Sequence, residues 1–312
     1  MWSRVRGMAA VTGVLGTVLL TVACHASSQA AGAPSRAASS AVATATGTAT
    51  GTAGPVLVAL GDSYAAGGLV PLTPGAEPPG CLRSAKAYPV LVARALHAKL
   101  TDVACANAGV AMMTSAQRTY LGTNPAQFAA LTPAAQLVLL TLGGDDTGFL
   151  NVLQECMKVS VKAPSGNPCQ AHYTAGGTDQ LAATVAAEGP KIAQVLTAIR
   201  ARAPRARVVV VGYPDLFPQS GGCWPAVPLA AGDVAYLRGI EVKVNAMLAA
   251  DARAAGDTFV DTYTPTTGHD FCQPESTRDV EGLLPGSLAL PFHPNIRGQQ
   301  VMADAVLAAL KR

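Results

Sequence analysis

An α/β fold, a three-layer α/β/α sandwich around a central parallel sheet, follows from two patterns in the sequence. Short apolar runs without polar alternation occur at residues 56–60, 137–142, 207–211 and 258–261, and the first three run directly into Gly61, Gly143 and Gly212. Helical patterns separate them. Strands buried on both faces read as continuous apolar runs, and parallel strands need long crossovers between them.

The elements follow in order. The run 56–60 predicts the first buried strand. After a loop containing Pro71, Pro74, Gly75, Pro78, Pro79 and Gly80, residues 87–100 place Tyr88, Leu91, Val92, Ala95 and Leu96 at helical spacing. Residues 156–173 read as a loop that carries His172. Residues 233–255 form an alanine-rich helical stretch ahead of the fourth strand, and 296–310 predict a C-terminal helix. No internal repeat is present.

Composition narrows the classes. The 312 residues are 50% hydrophobic, 13% charged and 5% aromatic, enough apolar surface to order most of the chain. Lys plus Arg number 22 against 19 Asp plus Glu. Two of the arginines, Arg4 and Arg6, precede an uncharged apolar stretch at 8–23, the pattern of a secretory signal and short of the about 20 residues of a spanning helix. Without them the balance is close to neutral, which excludes a nucleic-acid partner that needs a basic face. Thr21-Val22-Ala23-Cys24 is similar to a lipobox, making residues 1–24 a signal with Cys24 as the lipidation site. In residues 25–54, 25 of 30 are Ala, Gly, Ser or Thr, which predicts a flexible linker. The folded domain is expected over 55–312, as a monomer that meets a membrane only through its N-terminal anchor or signal, outside the cytoplasm.

Of 7 cysteines, setting Cys24 aside leaves an even number in an exported chain, which reads as disulfides. Several connectivities are open. Sequential pairing closes the shortest loops and is the expected one: Cys81 with Cys105, Cys156 with Cys169, Cys223 with Cys272. No Cys-x-x-Cys or Cys/His cluster, nucleotide loop or flavin fingerprint occurs, so neither metal nor cofactor is expected.

Chemistry in such folds gathers beyond the carboxyl ends of the strands. There stand Gly61-Asp62-Ser63-Tyr64 and Gly143-Gly144-Asp145-Asp146. Ser63, among small residues after a buried strand, would sit in a tight strand-to-helix turn with an exposed hydroxyl; taken alone, Gly-Asp-Ser is more often a mere helix cap. A serine nucleophile needs a base. Among five histidines, His293 is framed by Pro291 and Pro294, which fix its backbone, and His269 is the weaker choice.

These three blocks resemble the SGNH/GDSL hydrolase family, in its secreted, disulfide-bearing bacterial lipase and esterase branch. Gly61-Asp62-Ser63-Tyr64 is similar to the nucleophile block, Gly143-Gly144-Asp145-Asp146 to the Gly-Gly-Asn-Asp block, and His293-Pro294-Asn295 with Gly298 to the final block, in family order. The resemblance implies a flavodoxin-like sandwich and a serine ester hydrolase. Ser63 would be the nucleophile and His293 the base, the Leu290 backbone carbonyl would orient the imidazole, and the oxyanion hole would be built from Ser63, Gly109 (or Met112) and position 145. That position holds Asp145 where the family has Asn, and an ionised carboxylate cannot donate to an oxyanion. A weak or acid-shifted esterase on a lipid or acylated carbohydrate is therefore expected. The alternatives are a carbohydrate deacetylase and a non-turning lipid- or glycan-binding lipoprotein. Asp62 and Asp146 are read as structural carboxylates, and Trp224 as a shield for a disulfide.

Overall fold

The computed structural model describes residues 54–68 and 71–312. The signal, Cys24 and nearly all of the linker lie outside them.

The first buried run forms β1 (Val56–Gly61), which leads through a one-turn helix, α1 (Ser63–Ala66), to α2 (Tyr88–Ala95). The helix predicted to Leu100 stops earlier. His97 takes a left-handed φ of 52°, and β2 (Lys99–Asp102) begins. This strand is an edge with alternating exposure, so Lys-Leu-Thr-Asp has no apolar run to betray it. A small hairpin follows, β3 (Gln117–Thr119) and β4 (Gly122–Asn124), and then β5 (Leu137–Thr141), buried throughout. Residues 156–173, expected as a loop, are largely helical: α3 (Phe149–Lys162) and α4 (Pro168–Thr174), with His172 on the exposed side of α4. Cys156 and Cys169 are buried between the two helices. Next come α5 (Gln180–Arg202), whose internal Gly189-Pro190 masks its periodicity, β6 (Arg207–Val211), α6 (Ala231–Ala254), β7 (Thr258–Val260), the short α7 (Tyr263–Thr266) and α8 (Ile296–Leu310).

The five-stranded sheet has the order β2-β1-β5-β6-β7, all parallel. Its strands alternate between two cores. Leu57, Ala59, Leu137, Leu139, Val209 and Val211 pack under α2 and α8, against Tyr88, Val92, Met302 and Val306. Val58, Leu60, Val138, Leu140, Val208 and Val210 pack on the other face against Leu153, Ile192, Leu196 and Leu248 of α3, α5 and α6. The result is a three-layer sandwich. Strand order reverses between β1 and β5, and that switch point opens a crevice at the carboxyl ends of the strands. There Gly61 is required: at φ 134° a Cβ would lie 2.1 Å from the Thr141 carbonyl oxygen.

Cys81–Cys105, Cys156–Cys169 and Cys223–Cys272 are bonded, closing loops of 24, 13 and 49 residues. On the chain-entropy account the longest loop contributes most, about 4 kcal/mol against about 3 kcal/mol for the shortest. Guanidinium denaturation should therefore show a larger loss for Cys223→Ser with Cys272→Ser than for Cys156→Ser with Cys169→Ser; equal losses would refute the loop-length account.

Candidate active site

Ser63 opens α1 immediately after β1, and Asp62 caps that helix by accepting the Tyr64 N–H at 2.9 Å. Gln127 fixes the end of β1: its side-chain amide accepts the Gly61 N–H at 2.8 Å and donates to the Gly61 carbonyl at 2.9 Å. The nucleophile candidate thus stands on backbone held from both sides.

His293 arrives from 230 residues away. Its Nε2 lies 2.7 Å from Ser63 Oγ, and its Nδ1 lies 2.7 Å from the carbonyl oxygen of Pro291. A carbonyl only accepts, so Nδ1 carries the proton and Nε2 is the acceptor that faces the serine hydroxyl. The orienting carbonyl belongs to Pro291, not to Leu290. Phe292 sits at φ 60°, in the left-handed region, and folds the chain back so that the Pro291 carbonyl meets the ring. The Leu290 carbonyl instead accepts the His293 backbone N–H at 3.2 Å. Tyr64 steadies this turn: its hydroxyl donates to the Phe292 carbonyl at 2.7 Å, and its ring lies 4.7 Å from the imidazole. Burial holds the His293 pKa down at about 4, opposed by the Pro291 bond. His269 bonds the Thr277 carbonyl and takes no part.

The Gly143–Asp146 turn closes the other side of the site. The Gly144 N–H donates to the Tyr213 hydroxyl at 2.7 Å, and that hydroxyl donates to Asp62 Oδ2 at 2.5 Å. A Cβ on Gly144 would lie 2.9 Å from the same hydroxyl oxygen. Both oxygens of Asp146 accept the Val110 N–H at 3.0 Å, so this carboxylate ties the Gly109 loop to the turn after β5. The Met112 N–H donates to the Gly109 carbonyl at 2.9 Å, whereas the Gly109 N–H has no partner among the described residues. Gly109 is thus the donor left available.

Asp145 lines the same pocket as Ser63 and His293, and its Oδ2 is buried without a hydrogen bond among the described residues. Burial, then the neighbouring Asp146 charge, push its pKa up to about 6. Burial and the Asp145 charge raise Asp62 as well, against the bonds from Tyr213 and Tyr64.

From these groups a narrow pocket runs inward, walled by Phe149, Leu150, Leu181, Leu237, Ile240 and Val244 of α3, α5 and α6. Trp224 is half-exposed and stands apart from it.

Sequence reasoning missed Gln127, Tyr213 and Glu281. The carboxylate of Glu281 accepts from Arg278, Gly286, Ser287 and Asn295. Its backbone bonds the His293 carbonyl and the Phe292 N–H. No local motif marks any of the three, since each acts on a segment far along the chain or through its backbone.

Removing the Tyr213 hydroxyl leaves a buried acceptor on Asp62 and a half-buried donor on Gly144 unmatched. Tyr213→Phe should lower stability by about 1–3 kcal/mol in denaturant titration; a neutral change would mean that water replaces the hydroxyl without loss.

The family model described as the GDSL-like lipase/acylhydrolase family matches residues 59–301. Lipase 2 of Streptomyces coelicolor is 40% identical over 258 residues, covering 81% of this chain and 85% of the relative. Among solved structures, phospholipase A1 from Streptomyces albidoflavus NA297 superposes with a TM-score of 0.68 at 27% identity, over 82% of this chain and all of that one. An extracellular lipase from Streptomyces rimosus gives 0.66 at 25% identity, over 82% of this chain and 99% of the other.

Proposed function

The chain belongs to the GDSL-like lipase/acylhydrolase family and is a carboxylic ester hydrolase; from that premise we propose that it is an exported, monomeric serine esterase of the lipase type, acting through an acyl-enzyme on Ser63. The observation that carries the mechanism is the Ser63–His293–Pro291 relay at the mouth of an apolar pocket. In the reaction, Ser63 Oγ attacks the ester carbonyl while His293 Nε2 takes its proton, then returns it to the departing alcohol. The acyl chain lies along the pocket between α3, α5 and α6. Water, activated by the same imidazole, releases the acid.

The tetrahedral oxyanion is received by the backbone N–H groups of Ser63 and Gly109, and by Asp145 in its protonated form. A pocket walled by leucine, isoleucine, valine and phenylalanine suits a hydrocarbon acyl chain better than a decorated sugar. The intact Ser63–His293 pair favours turnover over the binding-only alternative. Export is supported by the N-terminal sequence, the three disulfides and the extracellular Streptomyces rimosus relative. Acylation of Cys24 rests on the sequence motif.

Two ionisations set the pH dependence. His293 must be neutral to act as a base, which holds above about pH 4. Asp145 must be protonated to donate, which holds below about pH 6. Hydrolysis of a short-chain p-nitrophenyl ester should therefore rise through the first value, fall through the second, and peak at about pH 5. Asp145→Asn supplies an amide donor at every pH. It should abolish the alkaline limb and raise the rate at pH 8 on the order of 100-fold, the weight of one oxyanion donor. A wild-type profile flat to pH 8 and unaltered by Asp145→Asn would remove Asp145 from the mechanism. Ser63→Ala should cut turnover by at least about 10⁴-fold; residual hydrolysis near the wild-type rate would overturn the nucleophile.

A further inference from the structure

The segment between Glu281 and His293 contains no charged residue: Gly-Leu-Leu-Pro-Gly-Ser-Leu-Ala-Leu-Pro-Phe. Among its residues Leu284 and Leu288 are 83% and 77% exposed. One exposed leucine is ordinary on a protein surface. Two within five residues, on a segment held as firmly as this one, are not explained by folding.

The hold is specific. Leu283 packs against the larger core. The next anchor is Glu281, whose carboxylate accepts the Gly286 N–H and the Ser287 hydroxyl, each at 2.9 Å. The end of the exposed Glu275 side chain lies against Gly286. Finally the Leu290 N–H donates to the Gly68 carbonyl at 3.2 Å, and a Cβ on Gly68 would touch both the Leu290 side chain and the His293 ring. Leu284 and Leu288 thus flank a pinned turn, and Leu288 stands two residues, at most about 7 Å of chain, from the residue that abuts the catalytic histidine.

We propose that this loop is a lipid-contact element: Leu284 and Leu288 insert into the surface of an aggregated amphiphile and set the mouth of the site against it. The inference rests on the esterase reading and adds the physical form of the substrate. The occupant follows from three features: the two exposed side chains are apolar on a segment without charged residues of its own, Glu281 holds the turn between them, and the segment continues into Leu290 beside Gly68 and His293, where an ester must enter. A pinned loop loses little conformational entropy on insertion, so the gain from burying two leucines is retained.

The test separates binding from turnover. All proteins begin at residue 25, so that neither the signal nor an N-terminal lipid contributes. With Ser63→Ala as background, co-sedimentation with phosphatidylcholine vesicles should fall at least about tenfold on adding Leu284→Ser and Leu288→Ser. With Ser63 present, the same pair should slow hydrolysis of the vesicle lipid by a similar factor and leave a soluble short-chain ester within about twofold, which also shows that the variant is folded. The inference is overturned if the Ser63→Ala protein does not bind vesicles, or binds them equally with and without the leucines. It is equally overturned if sedimentation velocity shows a dimer that the two serines dissociate, for then the loop meets a second copy of the chain. Failure of the soluble ester to react in the parent protein would count against the esterase reading, while the vesicle-binding comparison still decides the role of the loop.

Discussion

The site depends on one buried chain of hydrogen bonds through Asp62. Its carboxylate receives the Tyr64 N–H at the start of α1 and the hydroxyl of Tyr213, which itself receives the Gly144 N–H. Tyr64 follows β1, Gly144 follows β5 and Tyr213 follows β6. Three adjacent parallel strands are therefore bound at their carboxyl ends by a single side-chain pair. Here the join is made by Asp62, the residue that precedes Ser63. The glycines at 61 and 144 serve the same constraint, since a Cβ at either would strike the neighbouring strand end or the Tyr213 hydroxyl.

The imidazole is aimed by a backbone dipole rather than by a carboxylate. A full negative charge at Nδ1 would stabilise the imidazolium and raise its pKa, whereas the Pro291 carbonyl holds the ring and its tautomer with only a partial charge. Burial then dominates, and the ring stays neutral down to about pH 4. The arrangement requires a left-handed Phe292, a conformation that costs a non-glycine residue roughly 1–2 kcal/mol. Tyr64, through the Phe292 carbonyl, and Glu281, through its own backbone, supply the bonds that keep it there.

How much of this was legible in the sequence follows from the range over which each signal acts. The buried strands β1, β5 and β6 and the terminal helix α8 announce themselves through runs of neighbours, and the blocks around Ser63 and His293 carry enough local identity to be placed together. The edge strand β2 is half-exposed and has no such run. Helix α3 and helix α4 hide behind a Gly- and Pro-bearing connection, and α5 behind Gly189-Pro190. The residue that orients His293 was missed by one position, because a one-residue φ reversal, not composition, decides which carbonyl faces the ring. Tyr213 and Gln127 bond groups 151 and 66 residues away, and no window along the chain contains both partners.

What distinguishes the three acidic groups beneath the site is their supply of donors. Asp62 is matched by Tyr64 and Tyr213, and Asp146 by the Val110 N–H on both oxygens. Asp145 keeps a buried oxygen with no partner among the described residues. Like charges held this close in a poorly solvated crevice resist joint ionisation, and each raises the cost of charging the next. A proton on Asp145 relieves the strain where no donor offsets it, and it does so on the wall of the pocket shared with Ser63 and His293. On the proposed mechanism, an aspartate that would disable an oxyanion hole in water serves in this cluster as a donor only while it stays protonated.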